Sequence, residues 1–141
     1  MIYAVIDTNV LVSALITHNS EASTAKVVRL LIEGNFIPLY DGSIIEEYQE
    51  VLHRAKFKLL PGVADALISY ILEHGIETSR TPFQDIMPDE DDRIFYEVAL
   101  SSEESFLVTG NLKHYPQTPQ VITPAEFVCV VMESQEIEDT K

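Results

Sequence analysis

The chain of 141 residues has only one cysteine, Cys129, so it can form neither an intrachain disulfide nor a cysteine-rich zinc site. No apolar run approaches the roughly 20 residues that a membrane span needs. The first residues, Met1 to Tyr3, lack the basic start of a signal peptide, and internal repeats and low-complexity linkers are absent. These absences favour a cytoplasmic protein with one domain, predicted at residues 1–133, and a polar C-terminal tail at residues 134–141.

Basic residues are also scarce. The chain has 9 Lys and Arg against 23 Asp and Glu, which gives a formal net charge of −14. This balance opposes binding to a polyanion, because phosphate contacts need Lys or Arg. The objection weakens if some acids hold divalent cations, since a bound metal inverts the local field. Basic residues form two small groups, one from His53 to Lys58 and one at Lys113 and His114. The candidates for contacting a phosphate backbone are Arg54, Lys56, Lys58 and Lys113. A solvated helix end explains the first group equally well.

The hydrophobic content of 46% is typical of a globular protein. Short apolar runs alternate with amphipathic helical segments along the chain, and this alternation predicts a parallel sheet covered by helices on both faces. The predicted strands are Ile2–Ile6, Phe36–Tyr40, Ile76–Ser79, Ser105–Gly110 and Gln120–Thr123.

Two helix boundaries are predicted from local signals. Ser43 and Glu46 match a capping box, which predicts a helix that runs to about Arg54. Pro124 is expected to begin a last helix that continues through Met132, because proline is favoured in the first turn.

The most informative position is Asp7, which directly follows Ile2–Ile6, a run apolar enough for a strand buried on both faces. A carboxylate there is costly to desolvate unless a cation or several donors meet it. Ligands of open α/β sheets also bind at the carboxyl ends of the strands. The alternative is that Asp7 or Asn9 only caps the next helix, since both residue types are preferred N-caps.

Further acids lie on the predicted helices. Glu47 falls at the margin of the apolar stripe of its helix, where the alternative is a surface glutamate at the core boundary. Asp89 makes a good N-cap, and acids in a first turn suit the helix dipole, which explains some of the acids at Asp89–Asp92 but not all. Asp92 lies along an edge of the buried side of that helix, and Asp91 is also expected to lean inward.

These acids are expected to converge, because strand C-termini and the N-terminal ends of the following helices share one edge of a parallel sheet. Asp7 and Asn111 each follow a predicted strand, while Glu47 and Asp92 flank the inner sides of helices. Two carboxylates ~4 Å apart repel by ~4 kcal/mol at an effective dielectric near ~20, so a cluster needs protonation or a cation. Oxygen ligands without clustered Cys or His favour Mg²⁺ or Mn²⁺. The scattered histidines are expected to be solvated or satisfied, namely His18, His53, His74 and His114.

Four stretches together resemble a PIN domain, and above all the small stand-alone PIN proteins regarded as toxins of bacterial and archaeal toxin–antitoxin pairs. They are Val5–Leu11, the Glu47 helix, Asp89–Asp92 with Phe95 and Ala99, and Leu107–Pro116. The resemblance runs from Ile2 to about Phe127. It implies a three-layer α/β/α sandwich with a central, mainly parallel five-stranded sheet, and a metal-dependent ribonuclease activity.

Carried over by position, the resemblance implies a site that binds one or two Mg²⁺ or Mn²⁺ ions. Asp7 would be the central ligand, with Glu47 and Asp92 as the second and third catalytic acids and Asp89 as a supporting carboxylate. Asn111 stands where many PIN domains have a fourth Asp, so a carbonyl ligand is kept and one charge is lost. The residues that would orient ligands or phosphate through hydrogen bonds are Thr8, Asn9 and Thr109.

The resemblance thus predicts an endoribonuclease that hydrolyses RNA phosphodiester bonds without a side-chain nucleophile. It also implies an antitoxin partner and a homodimer. One alternative keeps the PIN fold in a catalytically weak or inactive interaction module, which Asn111 and the strong acidity favour. Another is a different α/β phosphate enzyme, such as a phosphoaspartate phosphatase or receiver-like domain, with Asp7 as nucleophile. The phosphatase resemblance requires a second Asp where this chain has Asn9.

Overall fold

The computed structural model describes residues 1–139, and within that range the chain forms five strands and six α-helices. The strands are β1 (Tyr3–Ile6), β2 (Ile37–Tyr40), β3 (Ile76–Glu77), β4 (Phe106–Val108) and β5 (Val121–Ile122). The helices are α1 (Thr8–Ile16), α2 (Ser23–Ile32), α3 (Gly42–Leu52), α4 (Val63–His74), α5 (Arg93–Ala99) and α6 (Pro124–Asp139). Short 3₁₀ turns span Ala55–Phe57, Glu90–Asp92 and Leu112–His114.

The five strands form one parallel sheet in the order β3-β2-β1-β4-β5. The predicted α/β/α sandwich with a mainly parallel five-stranded sheet is therefore confirmed. From β1 the chain adds β2 and β3 toward one edge of the sheet, and from β4 it adds β5 toward the other edge. The strand order thus reverses between β1 and β4, which is where open α/β sheets bind their ligands.

The central position of β1 in the sheet is reflected in its burial. Ala4, Val5 and Ile6 are all 1% exposed or less, as expected for a continuous apolar strand with neighbours on every side. Helix α5 packs against β1, β2 and β4, while α2 contacts both α1 and α6, and α3 contacts α4. An edge-to-face contact between Phe36 and Phe127, with ring centroids 4.8 Å apart, joins the start of β2 to α6. None of these helices, within residues 1–139, is both long and apolar enough to cross a bilayer.

The predicted capping box at Ser43 is wrong. Asp41, which directly follows β2, is the N-cap of α3, and its Oδ1 accepts the backbone N–H of Ile44 at 2.9 Å. The helix therefore begins at Gly42, before Ser43, and it ends at Leu52 rather than near Arg54. Asp41 and Ser43 are both favoured N-cap types. Asp41 is the N-cap because the chain turns into the helix immediately after β2.

The last helix is longer than predicted, because α6 continues beyond Met132 to Asp139. Glu and Gln are good helix formers, and the polar segment after Met132 contains neither Gly nor Pro to end the helix. The division into a domain at residues 1–133 and a tail at residues 134–141 stays a prediction, and residues 140 and 141 lie outside the described range.

Gly75 generates a prediction about stability. It ends α4, and a Cβ added there would lie 2.5 Å from the carbonyl oxygen of Ile71 and 2.6 Å from that of Pro38 in β2. Because both neighbours are backbone atoms, Gly75→Ala is expected to lower the free energy of unfolding by about 1–3 kcal/mol in urea denaturation followed by circular dichroism. Gly42→Ala is the matched control, since a Cβ there meets nothing within 4 Å. Equal losses in both variants would contradict the steric argument.

Candidate metal centre

Asp7 is 2% exposed and lies at the carboxyl end of β1. Its backbone N–H donates to the carbonyl of Val108 at 3.0 Å, which extends the β1–β4 pairing by one residue. Its Oδ1 accepts the backbone N–H of Asn9 at 3.2 Å, so Asp7 is also the N-cap of α1. Capping and ligand binding are compatible here, because the cap occupies only one of about four lone-pair positions of the carboxylate.

The other oxygen of Asp7 accepts two hydroxyl groups. Thr109 Oγ1 donates to Oδ2 at 2.8 Å and the Tyr115 hydroxyl donates to it at 3.0 Å. Thr109 lies beside Asp7 because Ile6 pairs with Val108 in the preceding register position. Burial, and next the charge of Asp7, raise the pKa of Tyr115 above its ordinary value, so the phenol stays protonated and donates.

Glu47 is hydrogen-bonded to Thr8, the first residue of α1, which directly follows Asp7 in the sequence. Thr8 Oγ1 donates to Glu47 Oε2 at 2.9 Å. Glu47 is half-buried while Glu46 is exposed, as the apolar stripe of α3 predicts. The pKa of Tyr48 is raised by burial and then by the charges of Asp7 and Glu47, so both carboxylates act on the same buried phenol.

A second group of side chains lies where the chain enters α5. Asp92 has 13% of its side chain exposed, and its Oδ2 lies 3.0 Å from Nδ1 of His114. Oδ2 of Asp89 lies 3.6 Å from the same nitrogen. In the part of the chain that the structure describes, these three are the one group of three His, Cys, Asp or Glu side chains whose ligand atoms all lie within 4.8 Å of one another. Asp7 and Glu47 lie outside that group.

The charge of Asp7 also acts on the group formed by Asp89, Asp92 and His114. Burial raises the pKa of Asp92 from 3.8 to about 6, and the charges of Asp7 and Asp89 contribute to the rise. The hydrogen bond and charge of His114 oppose it without cancelling it. Among residues 1–139, no Lys or Arg lies within 4.0 Å of the Asp7 or Asp92 carboxylate. The pocket therefore holds more negative charge than its protein partners offset, which favours a cation.

Asn111 and Asn9 enter the site through their backbones. The Asn111 N–H donates to Thr109 Oγ1 at 3.0 Å, and its carbonyl accepts the N–H of His114 at 2.9 Å. The side chain of Asn111 is half-buried, whereas Asn9 is exposed. Of the three predicted orienting residues, Thr8 and Thr109 donate through their hydroxyls to carboxylates, and Asn9 donates through its backbone N–H to Asp7.

The basic residues that are candidates for contacting RNA lie in two places. Lys113 is exposed beside His114, next to a groove of ≈ 420 Å³ lined by Gly110, Asn111, Leu112, Lys113, His114 and Thr123. Arg54 lies about two helical turns, ~10 Å, beyond Glu47 and pairs with Glu50 at 2.7 Å. Lys56 and Lys58 follow it in the connection to α4 and are exposed. Of the four, Lys113 alone is adjacent in sequence to His114, which contacts Asp92, and the role of all four in binding RNA stays a prediction.

Sequence reasoning missed two residues of this site and misplaced a third. The sequence predicts that His114 is solvated or satisfied, and the structure satisfies it with Asp92 and Asp89, an acidic pairing that the sequence does not indicate. Tyr115 was given no role. Both follow Asn111 at the edge that holds Asp7, and that adjacency was the available signal. Asp91 is exposed rather than inward, because Glu90–Asp92 form a 3₁₀ turn of ~3.0 residues per turn instead of an α-helical turn.

A buried glutamate ties the loop before α5 to the site helices. Glu97 is 9% exposed, and its Oε2 accepts the backbone N–H of Phe83 at 2.8 Å. Arg80 lies 3.8 Å from Glu97 and 3.2 Å from Asp41, the N-cap of the helix that carries Glu47. Arg80 therefore connects α3 and α5 without entering the carboxylate pocket.

A family model described as a PIN domain matches residues 3–113. The chain belongs to the PIN domain family. PIN domains are generally nucleases that bind divalent metals, and PIN nucleases bind RNA. Comparison with curated proteins and with solved structures gives no match.

The residues of this PIN domain fit a divalent cation. Asp89, Asp92 and His114 have ligand atoms within 4.8 Å of one another, and the charge of Asp7 acts on Asp92. Carboxylate oxygens suit Mg²⁺ and Mn²⁺, and half-exposed ligands leave coordination positions open for water or phosphate.

The raised pKa of Asp92 generates a prediction for the metal-free protein. Because the folded state favours protonated Asp92, this group stabilises the fold below about pH 4, and that stabilisation is lost as the pH rises through about 6. At pH 7 in EDTA, Asp92→Asn is expected to raise Tm by about 2–4 °C, and the difference from the wild type should shrink as the pH falls. Asp91→Asn is the control, since it removes an exposed charge from the same turn. A gain of equal size in that variant would show a general charge effect instead.

Proposed function

We propose that this PIN domain is an endoribonuclease that hydrolyses RNA phosphodiester bonds with Mg²⁺ or Mn²⁺. The observation that carries the proposal is the negative charge at the β1–β4 switch point, where no Lys or Arg among residues 1–139 pairs with Asp7 or Asp92. Asp7 is almost fully buried there, and it helps to raise the pKa of Asp92 on a different element. Such an arrangement is unfavourable for the apoprotein alone and favourable for one that binds a divalent cation.

Each acid has a proposed role. Asp7 is the central ligand, Glu47 and Asp92 are the other two catalytic acids, and Asp89 supports them. Asn111 offers a carbonyl oxygen in place of a fourth carboxylate. A bound divalent ion supplies Lewis acidity, which lowers the pKa of a water molecule and offsets charge on the phosphate.

The neighbouring hydroxyl groups hold the acids in place for this role. Thr109 and Tyr115 both donate to one oxygen of Asp7, and Thr8 donates to Glu47. Hydrogen bonds of this kind fix the orientation of a ligating carboxylate. The groove beside Lys113 is the proposed path of the RNA, because it lies next to His114 and carries a basic side chain that makes no ion pair within residues 1–139.

The biological setting is proposed on the resemblance to stand-alone PIN toxins. In that setting the chain is a cytoplasmic toxin that is neutralised by an antitoxin and forms a homodimer. A neighbouring gene for a short antitoxin-like protein is the observation that bears on this part of the proposal. Its absence would remove the toxin role and leave the nuclease untouched.

A second candidate is a catalytically weak or inactive interaction module with the PIN fold. Asn111 favours it, because the chain lacks one carboxylate at the edge of the pocket. The phosphatase and receiver-like alternatives have less support. The phosphatase resemblance requires a second Asp where this chain has Asn9, and the side chain of Asn9 is exposed.

The nuclease proposal predicts metal-dependent cleavage of a fluorescently labelled single-stranded RNA. Asp7→Asn and Asp92→Asn are each expected to slow cleavage by more than about 100-fold, because losing even a residue that only supports a metal ligand costs about 10–100-fold. The control, Asp91→Asn, removes an exposed acid of the same loop and should retain the wild-type rate. Equal cleavage by all variants would indicate a contaminating nuclease. Metal binding without cleavage would support the interaction module.

The position of Lys113 generates a prediction about RNA affinity. In an Asp7→Asn background, which prevents cleavage, Lys113→Ala is expected to weaken RNA binding in fluorescence anisotropy. The slope of log K against log salt should become shallower by ~0.7, the value for one contact to a single strand. Lys26→Ala is the control, since Lys26 lies on α2 and pairs with Glu21 at 3.4 Å. If Lys56→Ala had the larger effect, the RNA path would lie at the far end of α3.

A further inference from the structure

His114 is already placed beside two carboxylates at distances that suit a shared ion. Its Nδ1 lies 3.0 Å from Asp92 Oδ2 and 3.6 Å from Asp89 Oδ2. Neighbouring ligands of an octahedral ion with bonds of ~2.1 Å lie ~3.0 Å apart. The nitrogen and the Asp92 oxygen therefore have the separation of adjacent ligands, and a small movement of Asp89 would complete the set.

The backbone of His114 is fixed by the same network that holds Asp7. The His114 N–H donates to the Asn111 carbonyl at 2.9 Å, and the Asn111 N–H donates to Thr109 Oγ1 at 3.0 Å. That hydroxyl in turn donates to Asp7 at 2.8 Å. The histidine thus reaches the acids from a turn anchored to the central strand, and 42% of its side chain remains exposed on the groove side.

Two accounts of this contact predict opposite effects on metal affinity. If His114 serves only as an imidazolium that neutralises Asp89 and Asp92, a divalent ion must displace it. Its removal would then strengthen metal binding, because the acids would lose a competing positive charge. If His114 is a ligand, its removal weakens binding, because one donor atom is lost.

We propose that His114 is a nitrogen ligand of the metal site and that it makes the site prefer Mn²⁺ to Mg²⁺. This inference rests on the proposed function only in that both need a divalent ion at these acids. Both ions suit oxygen ligands, but Mn²⁺ is a first-row transition ion that accepts an imidazole nitrogen more readily than the smaller Mg²⁺, which dehydrates reluctantly and keeps oxygen ligands. The donor set at this position is therefore mixed, and not made of oxygen alone as the sequence indicated.

The test measures the ligand directly and does not use catalysis. Electron spin echo envelope modulation of the Mn²⁺-loaded wild type is expected to show coupling to a directly bound ¹⁴N nucleus, and the coupling should vanish in His114→Ala. By calorimetry, Mn²⁺ affinity of that variant should fall by about 10–100-fold. Mg²⁺ affinity should stay within about 3-fold, because Mg²⁺ gains little from imidazole. His114→Asp is the second variant, and it should bind Mg²⁺ at least as well as the wild type while losing the ¹⁴N signal.

The matched control is His18→Ala, which removes an exposed histidine beyond the C-terminal end of α1 and should keep both the ¹⁴N signal and the affinity. Unchanged or tighter Mn²⁺ binding by His114→Ala would overturn the inference, as would a wild type that shows no ¹⁴N coupling or binds no Mn²⁺. The nuclease proposal fails separately. RNA cleavage without ¹⁴N coupling would overturn the ligand role of His114 and leave the nuclease proposal intact. ¹⁴N coupling without RNA cleavage would support the ligand role and overturn the nuclease proposal.

Discussion

The carboxylate of Asp7 is the constraint on which the rest of this structure depends. A charged group with 2% exposure is costly to bury unless donors replace its water. The chain supplies three donors from two sequence regions: the backbone N–H of Asn9, and the hydroxyls of Thr109 and Tyr115. The parallel pairing of β1 with β4 brings Thr109 to Asp7, and the turn after β4 then brings Tyr115. The sheet order and the polar network are thus two parts of one arrangement.

Much of this arrangement can be predicted from local patterns. The apolar run before Asp7 predicts a buried central strand, and the stripe on α3 predicts that Glu47 turns inward while Glu46 does not. These predictions succeed because they depend on side-chain periodicity, which the sequence contains in full. The general location of the acids also follows, since every parallel α/β sheet gathers its strand ends along one edge.

The side-chain contacts that define the site depend on how the backbone runs between the helices and strands, which side-chain periodicity does not reveal. Tyr115 lies 108 positions from Asp7 in sequence, and no periodicity relates them. His114 meets Asp92 only because a 3₁₀ turn follows β4 and another precedes α5. The choice of Asp41 over Ser43 as the cap of α3 depends on where β2 ends, which sequence locates only to within a few residues. In each case the deciding fact is the path of the backbone between elements.

Arg80 illustrates how such a path can matter beyond its own contacts. Because 39% of its side chain is exposed, its ion pairs contribute little to the folding free energy. Yet it joins the cap of the helix bearing Glu47 to Glu97, on the helix that Asp92 precedes. An arginine that contacts neither Glu47 nor Asp92 therefore links the two elements that carry them. Homologous chains could adjust the width of the pocket by changing this arginine while leaving every acid in place.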